Sequence, residues 1–215
     1  MARETDRAAL AAGVRIALKR CPPGSRTELT GSLASGTADA FSDIDIAWVV
    51  PDARFPACLA RAAEALGDVL PVAGVRSDPD FCHSDRRRLL FVRFQGVPLF
   101  WRLDLDVRAA SVADDPHYDA GNPAAQARED EWSRPASALA NAVGVVKAVA
   151  RKRDEEARGL LERGFARIGE EDGATGDWAG DVARLAHAAV RRDSSLTDLA
   201  AQVTALAARY VGSGA

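Results

Sequence analysis

Residues 43–50 read Asp-Ile-Asp-Ile-Ala-Trp-Val-Val and are closed by Pro51. β-branched and aromatic side chains dominate the run, which marks a β-strand. In a strand, residues two apart share a face. Asp43 and Asp45 therefore stand side by side on one face, while Ile44 and Ile46 turn into a core on the other. The strand needs helices over its apolar face and a reason for two adjacent carboxylates on the opposite one.

The surrounding sequence supplies the helices. Residues 4–20 carry Leu10, Val14, Ala17 and Leu18 at helical spacing and stop at Cys21-Pro22-Pro23-Gly24. A short strand is expected at 26–30, then a turn at Gly31-Ser32 into a short helix ended by Gly36. A helix at about 56–67 turns Leu59, Ala62, Ala63 and Leu66 inward, and a further strand is expected at 69–75. Residues 88–95 and 97–107 read as an antiparallel hairpin joined tightly around Gly96. Beyond residue 113 the composition changes to Asp, Pro, Gly and Asn, and no convincing strand follows. Residues 135–153, 155–168, 178–192 and 195–211 all have helical spacing. The expected organisation is an α/β domain over 1–112, with a small mixed β-sheet and flanking helices, then a connector over 113–133 and a helical bundle over 134–215.

Two like charges as close as Asp43 and Asp45 repel, and a divalent cation relieves them. Mg²⁺ prefers carboxylate and phosphate oxygens together. Two metal ions about 3.5–4 Å apart clamp the attacking and leaving oxygens of an in-line displacement. Gly31 at a strand-to-helix turn lets backbone approach a phosphate, the helix start aims N–H groups at an anion, and the Ser32 hydroxyl adds a donor. A third carboxylate comes from 99–107, where Asp104 and Asp106 share one face and Leu103, Leu105 and Val107 the other.

Gly31-Ser32, a spacer of about ten residues, Asp43-Ile44-Asp45 and a later strand-borne acid together resemble the DNA polymerase β-like nucleotidyltransferase superfamily. The small bacterial members are the most similar, among them aminoglycoside and lincosamide nucleotidyltransferases and the minimal nucleotidyltransferases of toxin–antitoxin pairs. The resemblance covers residues 25–107. It implies the polymerase β-like nucleotidyltransferase fold, with Gly31 and Ser32 on the triphosphate of ATP or another nucleoside triphosphate. It also implies Asp43 and Asp45 on two Mg²⁺ ions, and Asp104 or Asp106 as the third acid and proton acceptor, with Asp104 preferred. A basic residue of the first helix after the catalytic domain often touches the triphosphate in this family, and Lys147 takes that position here. One departure is Ser35, where many members carry Arg before the second glycine of the loop.

The chain of 215 residues has net charge −3 and a hydrophobic fraction of 47%, enough for a core. A negative balance argues against nucleic acid as the main partner. No apolar run suits a signal peptide or a membrane span, so a cytoplasmic protein is expected. Cys21, Cys58 and Cys82 form no C-x-x-C pair and read as reduced thiols; Cys82-His83 lacks the second pair a zinc site needs. Trp101 reads as core, Trp132 is open, and Arg86-Arg87-Arg88 as a surface cluster. The acceptor is expected to be a small molecule. Asp114, Asp115, Asp119, Glu129, Asp130 and Glu131 favour a cationic one such as an aminoglycoside-like antibiotic. Two alternatives stay open: a protein-adenylylating antitoxin with a toxin as its protein partner, and an inactive nucleotide-binding module.

Overall fold

The alternation read from residues 43–50 is carried by a five-stranded sheet in the order β1-β2-β5-β4-β3. The computed structural model describes residues 6–20 and 23–212. The strands are β1 (Arg26–Leu29), β2 (Ile44–Val50), β3 (Val72–Ser77), β4 (Arg87–Phe94) and β5 (Leu103–Ala109). β2 and β5 run parallel at the centre. The β1–β2, β4–β5 and β3–β4 pairs are antiparallel. The fold class is α/β, with the mixed sheet expected.

One face of the sheet is sealed. Ile44, Ile46, Trp48 and Val50 of β2 and Leu103, Leu105 and Val107 of β5 are all at most 1% exposed. α1 (Arg7–Lys19) and α3 (Phe55–Gly67) belong to the same core through Leu10, Val14, Leu18, Phe55, Cys58, Ala62 and Leu66. Parallel strands usually bury both faces and read as continuous apolar runs. Here β5 alternates throughout and β2 does so over its first half, because the second face carries Asp45, Asp104, Asp106 and Arg108. α1 begins where the Asp6 carboxylate accepts from the Ala8 amide, so the helix expected from residue 4 starts at Arg7.

Three local expectations are corrected. In α3 the buried positions are Phe55, Cys58, Ala62 and Leu66, while Ala63 is exposed and Leu59 half-buried. The buried face begins one residue earlier than the alanine pattern suggests because Phe55, the largest apolar side chain there, takes the core position. β3 starts at Val72, after residues 69 and 70 close the end of α3 through amide bonds back to Leu66. The hairpin of β4 and β5 is present, but residues 97–102 are not strand. Pro98 cannot donate to a ladder, and Leu99–Trp101 form a 3₁₀ turn before β5 starts at Leu103. Trp101 packs against the core from that turn.

The chain divides into two compact units, the first running to Trp132 and the second beginning at Ser133. Residues 113–132 are tied to the first unit by backbone bonds from His83 to Ala125 and from Ala127 to Pro79. The second unit consists of α4 (Arg134–Ala150), α5 (Asp154–Arg167), α6 (Trp178–Arg192) and α7 (Thr197–Val211). Ser133 caps α4 and Asp177 caps α6. Asp181 of α6 is fully buried, accepting from the Thr175 amide at 2.9 Å, the Thr175 hydroxyl at 2.7 Å and Arg184 at 2.7 Å. No helix among the described residues is long and apolar enough to cross a membrane.

Candidate active site

The other face of the sheet gathers the acids. Asp45 of β2 lies directly opposite Asp104 of β5, and Asp106 lies opposite Ala47, one pleat further along. Asp43 stands just before β2, where the Ile44 amide donates to the Arg102 carbonyl at 2.9 Å. The loop leading to it is pinned. Arg7 donates to the carbonyls of Asp39 and Ser42 at 2.7 Å each, and the buried Ser42 hydroxyl donates to Asp39 at 2.9 Å.

Gly31 is built against this pair. The Thr30 amide donates to the Asp45 carbonyl at 3.0 Å, which brings the start of α2 (Gly31–Ser35) beside β2. Gly31 has φ +59°, and a Cβ there would lie 2.3 Å from Asp45 Oδ2. Only glycine adopts that dihedral cheaply and leaves room for the carboxylate. Ser32 follows, half-buried, and its carbonyl accepts from Thr37 at 3.0 Å as the short helix closes at Gly36.

Arg102 is the residue that sequence reasoning missed. Its Nε and Nη2 donate to the two oxygens of Asp104 at 2.6 and 2.7 Å, and Nη2 lies 3.9 Å from Asp43. Its guanidinium stacks on Phe91, 4.5 Å from the ring centroid. Burial opposes the charge on Arg102, but the bonds to Asp104 and the nearby Asp43 and Asp45 outweigh it and raise its pKa. The signal was present in the sequence: Arg102 precedes Asp104 by two, so it shares the acid face.

Asp106 has a structural role of its own. Arg108 donates to it at 2.6 and 3.0 Å and Arg87 at 3.2 and 3.3 Å. Arg87 also donates to the Pro116 carbonyl at 2.7 Å. It is 9% exposed, so the Arg86-Arg87-Arg88 cluster expected at the surface is buried in part. Of the two acids of β5, Asp104 lies level with Asp45 and Asp106 stands one pleat further along, between Arg87 and Arg108.

The donor chemistry suits a hard divalent cation. Asp43, Asp45 and Asp104 offer only oxygens, and they already draw a cationic side chain between them. Among the described residues no three acids, histidines or cysteines converge as a ready-made metal cage. A metal would meet Arg102 as a competitor for the same oxygens.

Lys147 is half-buried near the end of α4, in the second unit. Several acids once read as a cationic-acceptor surface have local uses. Glu131 accepts from the Arg128 amide and from His83 at 2.6 Å, and Asp119 accepts from Ser84 and Asn122. Cys58 is buried, Cys82 is half-buried, and Cys21 lies outside the described residues.

No protein-family model matches the chain, and no curated protein matches it. Among solved structures, a cytoplasmic RNA terminal U-transferase is 20% identical with a TM-score of 0.33, over 67% of this chain and 38% of that one. Cid1, described for its RNA terminal uridylyl transferase activity, is 18% identical with a TM-score of 0.35, over 66% of this chain and 37% of that one. The chain thus spans under two fifths of the length of either structure. In this chain the five-stranded sheet places Gly31-Ser32 beside the acid-bearing strand β2.

Proposed function

We propose that the chain is a nucleotidyltransferase that moves a nucleoside monophosphate, AMP in the first instance, from a triphosphate to a hydroxyl of a small-molecule acceptor. The observation that carries this reading is the registered Asp45–Asp104 pair with Gly31 packed on the Asp45 carboxylate. Gly31 keeps backbone close to the acids without a side chain in the way, and the Ser32 hydroxyl donates to a phosphate oxygen. Asp43, Asp45 and Asp104 are the residues that would hold Mg²⁺, which supplies charge neutralisation at the phosphates when bound. The acceptor oxygen forms a bond to the α-phosphorus, the bond to the bridging oxygen breaks, and pyrophosphate leaves. Asp104 takes the hydroxyl proton, which requires Arg102 to release at least one of its oxygens.

One observation favours a second reading, a nucleotide-binding module without turnover: both Asp104 oxygens are engaged by Arg102. A screen for pyrophosphate release decides between them. ATP and the other triphosphates are offered with Mg²⁺ and a panel of hydroxyl acceptors, alongside Asp45→Asn. Release by the parent that is absent in the variant supports the transferase. Nucleotide binding with no release for any acceptor supports the module.

A further inference from the structure

The charged face of the sheet continues past Asp104, away from Gly31. Phe91 of β4 lies opposite Asp104, and Arg76 of β3 lies opposite Phe91. Both Arg102 and Arg76 stack on the Phe91 ring, at 4.5 and 4.6 Å from its centroid. Two residues beyond Phe91 on the same face is Arg93, which pairs with Gly74 of β3 and, by the same register, comes level with Arg102. A Cβ at Gly74 would lie 2.9 Å from Arg93 Nη2, so the guanidinium lies against β3 in space that glycine leaves.

Arg93 differs from the three arginines that flank the acids. Arg102, Arg87 and Arg108 are each spent on a carboxylate. Among the described residues no acid pairs with Arg93, and burial pushes its pKa down with no charge to offset it. Burying part of a guanidinium with no carboxylate beside it is unfavourable. Its planar fork suits a phosphate.

We infer that Arg93, with Arg76 beside it, is an anion-binding subsite for a phosphate carried by the acceptor. The assignment of its ligand as the acceptor rests on the transferase reading above. The triphosphate belongs to the Gly31–Ser32 side of Asp45, and the attacking hydroxyl approaches from the far side, at Asp104. Arg93 and Arg76 lie one to two strand spacings beyond, about 5–10 Å, within reach of a phosphate on the molecule that bears that hydroxyl. A polycationic aminoglycoside would meet like charge there.

The test uses the full chain saturated with Mg²⁺ and a non-hydrolysable ATP analogue, titrated calorimetrically with ribose 5-phosphate, ribose, a short oligoribonucleotide and an aminoglycoside. The inference expects ribose 5-phosphate to bind and ribose not to. Arg93→Gln should weaken ribose 5-phosphate by about tenfold or more, the loss of a charge-assisted hydrogen bond. It should leave the affinity for the analogue unchanged and the Tm close to the parent's, because no ion pair of the fold is removed with it. Arg93→Lys should recover part of the binding. Binding of the oligoribonucleotide alone, lost in Arg93→Gln, keeps the subsite and assigns its phosphate to a nucleic acid strand. Equal binding of ribose and ribose 5-phosphate, a preference for the aminoglycoside, or an unchanged Arg93→Gln would overturn the inference. If the ATP analogue does not bind, the transferase reading fails, and the ribose 5-phosphate titration of the free protein and Arg93→Gln still decides the subsite.

Discussion

Replacing Gly31 with alanine should damage the site and the fold together, by amounts the geometry sets. The residue has φ +59°, which costs a non-glycine residue about 1–2 kcal/mol. The new methyl would lie 2.3 Å from Asp45 Oδ2, so something must move by about 1 Å to reach ordinary van der Waals contact. If the Thr30–Gly31 turn opens, the Thr30–Asp45 backbone bond at 3.0 Å is lost, worth about 1 kcal/mol. If the carboxylate turns away instead, Asp45 leaves the rank it shares with Asp104. The sum is about 2–3 kcal/mol, or a fall in Tm of about 5–10 °C for a unit of this size. Displacement of a metal ligand should weaken Mg²⁺-dependent nucleotide binding by about 10- to 100-fold. Gly96→Ala is the control: its φ is +74° with nothing within 4 Å of the added Cβ, so it carries the dihedral cost alone. Calorimetric unfolding and nucleotide titration of both variants check this. A Gly31→Ala protein that matches Gly96→Ala in stability and the parent in affinity would refute the claim that this glycine makes room for Asp45.

Arg102→Gln removes the cation that competes for Asp43 and Asp104, so Mn²⁺ titrated without nucleotide should bind about tenfold or more tightly, given the Coulomb energy of a charge at this range; weaker binding would mean that Arg102 props the acids in place. Asp104→Asn should cut turnover by about 10²–10⁴-fold and lower the Tm less than Asp106→Asn does, because Asp43 and Asp45 still face Arg102. Asp106→Asn should do the reverse, costing about 2 kcal/mol as Arg87 and Arg108 lose their carboxylate; measuring kcat and Tm for both exposes an exchanged assignment. Burial works against the charge on Asp181, but the bonds from Thr175 and Arg184 outweigh it and hold its pKa below the ordinary value. Its contribution is therefore present above the unfolded pKa and lost as pH falls through the lower folded value. Thermal unfolding of the parent from pH 6 to 3 should show a steeper acid loss than Asp181→Asn, which starts lower by about 2–3 kcal/mol.

The parts of the molecule legible in the sequence were those with strong periodicity. The 43–50 run gave its strand, its buried Ile44 and Ile46 and its two-residue acid spacing, because a strand of period two admits one reading. α4 to α7 followed from helical spacing, and the structure adds the caps at Ser133 and Asp177. The start of β5 was misplaced because Leu99, Phe100 and Trp101 look like strand residues, whereas Pro98 imposes a turn and Phe100 buries its ring from it. Register was not legible. Asp104 and Asp106 are equivalent by alternation, and only the pairing of β5 with β2 separates them. Arg102 and Arg93 were passed over for a related reason. A sequence rich in arginine gives no sign of which guanidinium lies across an acid pair and which has no acid to meet.

The most direct test of the account is nucleotide binding to the parent chain with Mg²⁺ and then with excess chelator, by calorimetry, with Asp45→Asn alongside. Asp43 and Asp45 cannot both stay charged beside a triphosphate unaided. The account predicts binding with Mg²⁺ that is lost on chelation and lost in Asp45→Asn, with the variant still folded. Equal affinity with and without the metal, or an Asp45→Asn protein that binds as the parent does, would contradict it.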